Sequence, residues 1–327
     1  MNTKTIGLRR TFAACFGLLF ACSGGDISFE ISGPGITPNL PPWSDEPISA
    51  HGVNTGYAAV VVNGVNYGYS HAIVTVNGRA GTVSELRRGQ VLIVRGQTVS
   101  GNFSATADRI DYDARVIGPV ESIGASGNRI NVMGLTVITD PGTVFAAGID
   151  PANLTGLAVG AIAEISGYSR ADGTILATRI DRAAGITDMQ LIGEAADVDL
   201  ANLRFKVNGL TVDYSAAVMI DLPGGAPSNG MTLKMVGDVA DGRFVAEQLA
   251  DVPRLAVSPG RRVQTEGLIT RLDSAREFYV NHDAIVTDAG TVYRNGGQGD
   301  LVLNARLVID GRATSGGRIA ADRISFE

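Results

Sequence analysis

The chain has 327 residues, of which 42 are glycine, whereas aromatic residues make up only 6 %. Its formal net charge of −6 gives no sign of the basic surface that nucleic-acid-binding proteins usually carry. Valine, isoleucine and alanine supply most of the apolar residues, and long amphipathic helical patterns are hard to find. This composition predicts an all-β protein of many short strands joined by tight turns, with two or more domains.

The N-terminal segment has the features of an export signal. Lys4, Arg9 and Arg10 precede an uncharged apolar run at residues 11–21, which is too short to cross a bilayer as a helix. The run leads into LFAC, and this sequence resembles the bacterial lipoprotein signal. The resemblance implies that the chain is cut before Cys22 and that this cysteine carries the lipid. The alternative interpretation is an ordinary secretory signal in which the cysteine occurs by chance.

Processing at this point would change both the cysteine content and the charge. Cys15 lies within the predicted signal peptide, residues 1–21, so Cys22 would be the only cysteine left. The mature chain then has no disulfide, and its fold depends on packing alone. Its charge becomes −9, three below the −6 of the full chain, because the signal peptide carries three basic residues and no acidic one. Ser23 stands where an aspartate holds members of the lipoprotein family in the inner membrane, which implies the outer membrane, facing the periplasm or the cell surface.

Four similar modules follow an N-terminal tether. The tether, residues 22–51, is rich in glycine, proline and serine and has no sustained periodicity, which predicts a flexible linker. Beyond it, the sequence ATRID at 177–181 recurs as ADRID at 107–111, AEQLA at 246–250 and ADRIS at 321–325. These repeats divide the remainder into four β-modules, residues 52–113, 114–182, 183–251 and 252–327.

Each module is predicted to end in a β-hairpin. An apolar strand that contains a glycine leads to a tight turn with the sequence SG or DG, and the repeated final strand follows. By strict alternation, the alanine of each final strand and the isoleucine or leucine three residues later point to opposite faces, so the pattern leaves open which face is the interior. The strand glycines are Gly96, Gly167, Gly237 and Gly311, and the alanines are Ala107, Ala177, Ala246 and Ala321.

The front halves of the modules match as well. A glycine recurs in the first strand of three modules, and we expect the strand to bend or bulge there. A second glycine recurs later in the first three modules, and the fourth module has His282 at the corresponding position. The first set is Gly118, Gly193 and Gly267, and the second is Gly64, Gly134 and Gly209.

Module 2 shows the order of elements most clearly. We predict a helical turn at residues 150–157, with Asp150 as its N-cap and Pro151 as its first residue. This β-β-β-α-β-β order predicts a small OB-like barrel of about five strands. Such small modules have little core of their own, so we expect neighbours to share apolar contacts in a semi-rigid string. The predicted strands are 115–124, 128–139, 143–146, 160–168 and 174–182.

Several stretches resemble a known bacterial family, the domain of unknown function 5666. The stretches are residues 60–96, 116–123 and 157–180. The resemblance covers most of residues 52–182 and the later modules more loosely, and module 4 departs furthest, with His282 in place of a glycine. Membership implies tandem β-modules in an exported protein, and it implies no catalytic residues.

No motif for catalysis, a cofactor or a metal stands out. His51, His71 and His282 have no partner at metal-ligand spacing, and we expect them at the surface or in turns. Nucleophile-elbow, P-loop and dinucleotide motifs are absent from the sequence. Asp111 and Asp113 fall on one side of a strand, where the alternatives are a weak cation site and ordinary solvated acids. The sequence therefore predicts no enzymatic activity and no cofactor.

The features together favour a non-enzymatic cell-envelope lipoprotein. We expect a lipid-anchored string of β-modules that acts as a scaffold or protein-interaction module, with the membrane and an envelope protein as its partners and no nucleic acid. The alternative is an OB-like binding protein for an oligosaccharide or another small envelope ligand. It ranks second because a glycan site should show exposed aromatic platforms. The basic spots LRR (86–88) and GRR (260–262) are expected to be solvated.

Overall fold

β-Strands dominate the computed structural model of the protein, which describes residues 44–100, 103–183, 185, 188–252, 255 and 258–327. The only helices within these ranges are four short 3-10 helices, so the prediction of an all-β protein is confirmed. The predicted signal peptide, Cys22 and the tether up to residue 43 lie outside the described residues. Within the described part of the chain, no helix has the length and hydrophobicity needed to cross a membrane.

The strands fall into four sets that follow the sequence repeats. Module 1 has β1 (Pro47–Val53), β2 (Val60–Val62), β3 (Val65–Gly68), β4 (Ile73–Val76), β5 (Arg79–Ala80), a 3-10 helix (Val83–Glu85), β6 (Val91–Thr98) and β7 (Ser104–Tyr112). Module 2 has β8 (Val116–Ile123), β9 (Arg129–Val132), β10 (Leu135–Phe145), a 3-10 helix (Leu154–Gly156), β11 (Ile162–Ser169) and β12 (Ile175–Arg182). Module 3 has β13 (Met189–Glu194), β14 (Ala196–Asp199), β15 (Arg204–Val207), β16 (Leu210–Asp213), β17 (Val218–Ile220), a 3-10 helix (Pro223–Gly225), β18 (Thr232–Ala240) and β19 (Arg243–Asp251). Module 4 has β20 (Arg262–Ser274), β21 (Glu277–Val280), β22 (Asp283–Val286), β23 (Val292–Arg294), a 3-10 helix (Gln298–Asp300), β24 (Arg306–Ala313) and β25 (Ile319–Phe326).

Modules 2 and 4 are closed five-stranded barrels. In module 2, β8 pairs with β9 and β11, β9 pairs with β10, and β12 pairs with β11 and in parallel with β10. Module 4 repeats this ring with β20, β21, β22, β25 and β24. The first strand thus joins the second and the fourth, the third runs parallel to the fifth, and a short helix connects the third and fourth. This is the strand order of an OB-type barrel, so the predicted fold class is confirmed.

The repeated alanines and the residues three positions later all face the barrel interior. Ala177 and Ile180 are both buried, although strict alternation puts them on opposite faces. The register between β11 and β12 shifts between Ser166 and Gly167, and the extra residue in β12 restores both side chains to the inner face. The same shift occurs next to the glycine in the hairpins of the other three modules.

The recurring glycines of the first strands make room for a hairpin turn. A Cβ at Gly118 would come 2.6 Å from the Sδ atom of Met133, and one at Gly267 would come 2.4 Å from the Nδ2 atom of Asn281. Met133 and Asn281 each begin the turn between the second and third strands, so the turn folds over the first strand. The expected irregularity is present, but in β8 it follows Val120 rather than the glycine.

The helical turn of module 2 is shorter than predicted. It spans Leu154–Gly156, and its N-cap is Asn153, whose side chain accepts a hydrogen bond from the backbone N–H of Thr155. The prediction of Asp150 as the cap was therefore wrong. An asparagine two residues before the N–H that needs a partner satisfies it directly, which outweighs the preference for proline at the first helical position.

The modules are joined by two pairings between their first strands and do not form a string. β1 of module 1 runs parallel to β20 of module 4, and β8 of module 2 runs antiparallel to β13 of module 3. Modules 2 and 3 share one apolar core, and the core of module 1 includes Ile117 of module 2. The expected sharing of apolar contacts is thus confirmed for these neighbours. The string itself is contradicted because the first and last modules are joined. The end of the tether at residue 51 is also corrected, since residues 47–51 belong to β1 and pair with both β6 and β20.

Candidate functional site

A cleft of about 510 Å³ opens where modules 1, 2 and 3 meet. It is the size of a small-ligand site, although its lining is more polar than is usual for one. The strands of three different barrels contribute to it, so no single module contains the site. Its charged lining residues are Arg79, Glu85 and Arg87 from module 1, Glu164, Asp181 and Arg182 from module 2, and Asp188 from the start of module 3.

Two carboxylates face each other across the strands that line the cleft. Glu164 in β11 is the direct cross-strand partner of Asp181 in β12. Arg179 neutralises Asp181 with two hydrogen bonds of 2.6 Å, from Nε and Nη2. Glu164 instead accepts a hydrogen bond of 2.8 Å from the hydroxyl of Tyr112 in module 1. Burial, followed by the nearby Asp181, raises the pKa of Glu164 above its ordinary value against the opposing effect of that hydrogen bond.

The arginines of the cleft differ in how they are paired. Arg79 forms an ion pair of 2.6 Å with Glu85, so these two charges cancel at the rim. Arg87 and Arg182 are exposed and donate to backbone carbonyls, those of Ser84 and Leu86 and that of Gly156. Within the described residues neither of them has a carboxylate within ion-pair distance. The cleft therefore presents two guanidinium groups that have no acidic partner among the described residues.

A second polar cluster lies where modules 1, 2 and 4 meet. Arg306 donates to the carboxylate of Glu266 from Nε at 3.1 Å, and the backbone N–H of Val53 donates to the other carboxylate oxygen at 2.9 Å. The ring of Tyr168 lies edge-on to that of His51, with 6.0 Å between centroids. These contacts join three modules, so the cluster is a structural junction.

His51 is part of this junction. Asn281 donates from Nδ2 to its Nδ1 atom, with 3.1 Å between the two nitrogens. Desolvation, reinforced by His282 and Arg115, lowers the pKa of His51 to about 3. The imidazole is therefore neutral near pH 7. The expectation of a surface or turn histidine is confirmed for His71, which is exposed in a turn, and is wrong for His51, which lies in β1.

The predicted basic and acidic spots have specific partners. Arg262 of the GRR sequence is buried and pairs with Asp310 at 2.6 Å and with Glu46 at 3.2 Å, so the prediction that it is solvated was wrong. Asp111 pairs with arginines of its own module, and Asp113 pairs with Lys234 of module 3. The two aspartates are thus bound to separate cations and do not converge on a common point.

One strand edge is open and entirely apolar. β17 pairs with β19 on one side only, and Val218, Met219 and Ile220 are 64 %, 37 % and 41 % exposed. The matching strand of module 1, β4, has this edge covered by β5. The matching strand of module 4, β23, carries Arg294, a charge of the kind that protects natural sheet edges. Sequence periodicity missed β17 because three apolar residues are also consistent with a buried segment.

The ring of strands defines the class to which the chain belongs, a protein of tandem OB-type β-barrels. Two segments, residues 117–181 and 266–325, match the family model described as a domain of unknown function, DUF5666. The two matches confirm the resemblance to tandem repeats of this family that the sequence predicted. The matched segments coincide with modules 2 and 4, the two modules whose ladders close completely. No curated protein matches the chain.

Proposed function

We propose that the protein is a non-enzymatic, lipid-anchored component of the cell envelope that binds another envelope protein through the open edge of β17. The exposed apolar edge is the observation that carries this proposal. A strand edge that carries no charge or proline and is not covered by another element is a template for a strand from another chain. That strand would add main-chain hydrogen bonds and bury the exposed side chains.

The partner class is an extended segment of a protein with alternating apolar residues. Module 1 provides a precedent within the chain, because β5 already occupies the corresponding edge of β4 with the pairs Thr75–Ala80 and Val76–Arg79. The register of both strands against the fifth strand is the same: Ile73 stands opposite Arg109 as Val218 stands opposite Gln248. An edge that accepts a strand of its own chain in one module is suited to accept a foreign strand in another.

Anchoring would hold this edge at the membrane. The lipoprotein-like signal supports the anchor. Glu46 lies near the N-terminal end of the described residues. Glu46 pairs with Arg262 and Arg312 of module 4, and the hydroxyl of Thr98 donates to the backbone carbonyl of Ser44. The attachment point is thus fixed to both the first and the last module. We infer that the body acts as a rigid scaffold on its tether, most simply at the outer membrane.

Site-specific photocrosslinking in cells tests the partner. A photoreactive residue at position 218 should crosslink to a protein segment with alternating apolar residues, which mass spectrometry of the adduct identifies by its sequence, and Ile220→Lys in the same chain should abolish the capture. Val292 is the matched control, because it occupies the same position against Arg323 in β25 and is similarly exposed. Equal adducts from 218 and 292, or adducts with glycan alone, would contradict the proposal.

Mass spectrometry of the mature N-terminus tests the anchor separately. The expected product starts at Cys22 and carries a lipid, and Cys22→Ser should leave an unprocessed precursor. An unmodified mature chain that starts at another residue would overturn the anchor without affecting the β17 experiment. The oligosaccharide-binding alternative predicts an exposed aromatic platform; Tyr57 is 87 % exposed, but the guanidinium of Arg88 lies 4.9 Å from its ring centroid. A glycan array decides it.

A further inference from the structure

The cleft between modules 1, 2 and 3 holds charges that the protein itself does not neutralise. Within the described residues, Glu164 has no arginine, lysine or histidine within ion-pair distance, whereas the adjacent Asp181 is fully paired with Arg179. Arg87 and Arg182 line the same space and donate hydrogen bonds to backbone carbonyls. A ligand that supplies one positive and one negative group would therefore complete these pairs.

The negative side of the cleft is held in a fixed orientation. The buried hydroxyl of Tyr112 donates to one oxygen of Glu164, and the backbone carbonyl and N–H groups of β11 and β12 hold the strand in register. The side chain of Asn77, in the turn after β4, also favours the ionised form of this carboxylate and so lowers its pKa against the larger effect of burial. Module 1 thus positions the side chain of Glu164, which belongs to module 2. The remaining hydrogen-bond acceptor capacity of this carboxylate faces the cleft. Such preorganised, partly desolvated groups bind an oppositely charged ligand more strongly than groups in open water.

We propose that the cleft binds a small zwitterion, a short peptide with free amino and carboxyl ends, with the ammonium group on Glu164 and the carboxylate on Arg87 and Arg182. The guanidinium fork suits a carboxylate, and an ammonium group supplies the donors that Glu164 lacks. The volume of about 510 Å³ is within the range of small-ligand sites. This inference is independent of the proposal for β17 and of the lipid anchor.

The free protein should show the cost of keeping Glu164 in this position. Because the folded-state pKa of Glu164 is raised, its ionised form destabilises the fold at neutral pH and the protonated form does not. Glu164→Gln keeps the shape and the acceptor for Tyr112 and removes the charge opposite Asp181. It should therefore raise the unfolding midpoint at pH 7 while it removes ligand binding. Binding sites commonly show this opposition between stability and function.

Calorimetric titration of the full chain with synthetic alanyl-alanine tests the ligand class. The same dipeptide with an acetylated N-terminus and the same dipeptide with an amidated C-terminus are the matched probes. Each blocked form should bind about tenfold more weakly or worse, because each loses one charge-assisted interaction. Equal affinity for all three forms, or no heat for any of them, would overturn the proposal.

Variants of the protein then assign the two ends of the ligand. Glu164→Gln should weaken binding of the free dipeptide and leave binding of the N-acetylated form unchanged. The double variant R87Q/R182Q should also weaken binding of the free dipeptide, but it should leave binding of the C-terminally amidated form unchanged. The controls are Glu247→Gln and Arg276→Gln, which change exposed residues outside the cleft. Loss of binding in the controls as well, or loss in the cleft variants without dependence on the probe, would contradict the assignment.

Acidification provides an independent readout. The groups around Glu164 are Tyr112 of β7, Asn77, and Asp181 and Arg179 of β12. Affinity for the free dipeptide should fall as Glu164 takes up a proton, at a pH above the ordinary range of a glutamate. The N-acetylated probe should show no such step, and Glu164→Gln should remove it. A step that persists in Glu164→Gln would assign the proton to another group and contradict the proposal.

Discussion

Gly167 in β11 lies directly against Ala177 in β12. A Cβ atom at Gly167 would come 2.2 Å from the carbonyl oxygen of Leu176 and 2.9 Å from the Cα atom of Ala177. The same approach occurs between Gly96 and Ala107, Gly237 and Ala246, and Gly311 and Ala321. The glycine and the alanine repeat together because one requires the other: the bulged final strand crosses so closely that its neighbour has no room for a side chain.

Gly167→Ala should destabilise module 2 strongly. The added methyl group meets backbone atoms, which do not move aside as a flexible side chain does, so the free energy of unfolding should fall by about 3 kcal/mol. Chemical denaturation measures this change. Gly299→Ala is the control, because nothing lies within 4 Å of the new Cβ and its φ is not in the left-handed region. Similar stabilities for the two variants would show that the close approach is not a constraint.

The buried ion pair of Arg262 with Asp310 should matter for stability only as a pair. Arg262→Met leaves the buried Asp310 with Arg323, 4.0 Å away, as its cation, and should cost about 3 kcal/mol of unfolding free energy. The double variant R262M/D310L should recover most of this loss. The loss should shrink at acidic pH, where Asp310 is protonated. Burial already raises the pKa of Asp310 in the wild type.

The exposed pair of Arg271 with Asp273 is the matched control for that experiment. Their nitrogen and oxygen atoms are 2.9 Å apart, but both side chains are largely in solvent. Arg271→Met should change the free energy of unfolding by no more than about 1 kcal/mol. If Arg262→Met has an equally small effect, burial does not make the pair of Arg262 with Asp310 important for stability.

His51 should make the fold sensitive to acid. Its folded-state pKa, about 3, lies below the ordinary value of 6.5, so the neutral form is favoured in the folded state. The resulting stability is complete above about pH 6.5 and is lost as the pH falls towards 3. At about pH 4 the loss should be up to roughly 3 kcal/mol, at 1.4 kcal/mol for each unit. Denaturation curves across this range measure it.

Two substitutions separate this effect from general acid denaturation. His51→Gln keeps a neutral side chain in β1 and should flatten the pH dependence of stability between pH 6.5 and 4. His71→Gln changes an exposed turn residue and should leave the dependence as it is. An unchanged slope in His51→Gln would show that His51 stays accessible to protons in the folded protein.

The repeats in the sequence predict the barrels well but not how the barrels meet. Gly167, Ala177 and their counterparts lie in one hairpin, so they recur at fixed spacing and mark the modules. The contact between β1 and β20 has no such signal, because Ser49 and Val263 pair in parallel across most of the chain. Strict alternation also failed for Ala177 and Ile180, since a one-residue bulge inverts the faces without changing the composition.

The cleft could not be predicted for a related reason. Glu164, Arg87 and Arg182 lie on two modules and resemble ordinary surface charges in the sequence. Their chemistry depends on which charges lack a partner, and that depends on the packing between modules. Arg179 and Asp181, by contrast, belong to the repeated sequence ATRID itself. Their ion pair follows from their two-residue spacing, which puts both side chains on one face of a strand.

The first and last modules are held together by the pairing of β1 with β20, and cleavage of the chain between modules 3 and 4 tests this contact most directly. A protease site inserted between Asp251 and Arg262 would separate module 4 covalently while β1 and β20 remain paired. The two fragments should then co-elute from a size-exclusion column under native conditions and separate only in denaturant. A module 4 fragment that elutes alone under native conditions would show that the barrels form a string, in contradiction to the structure described here.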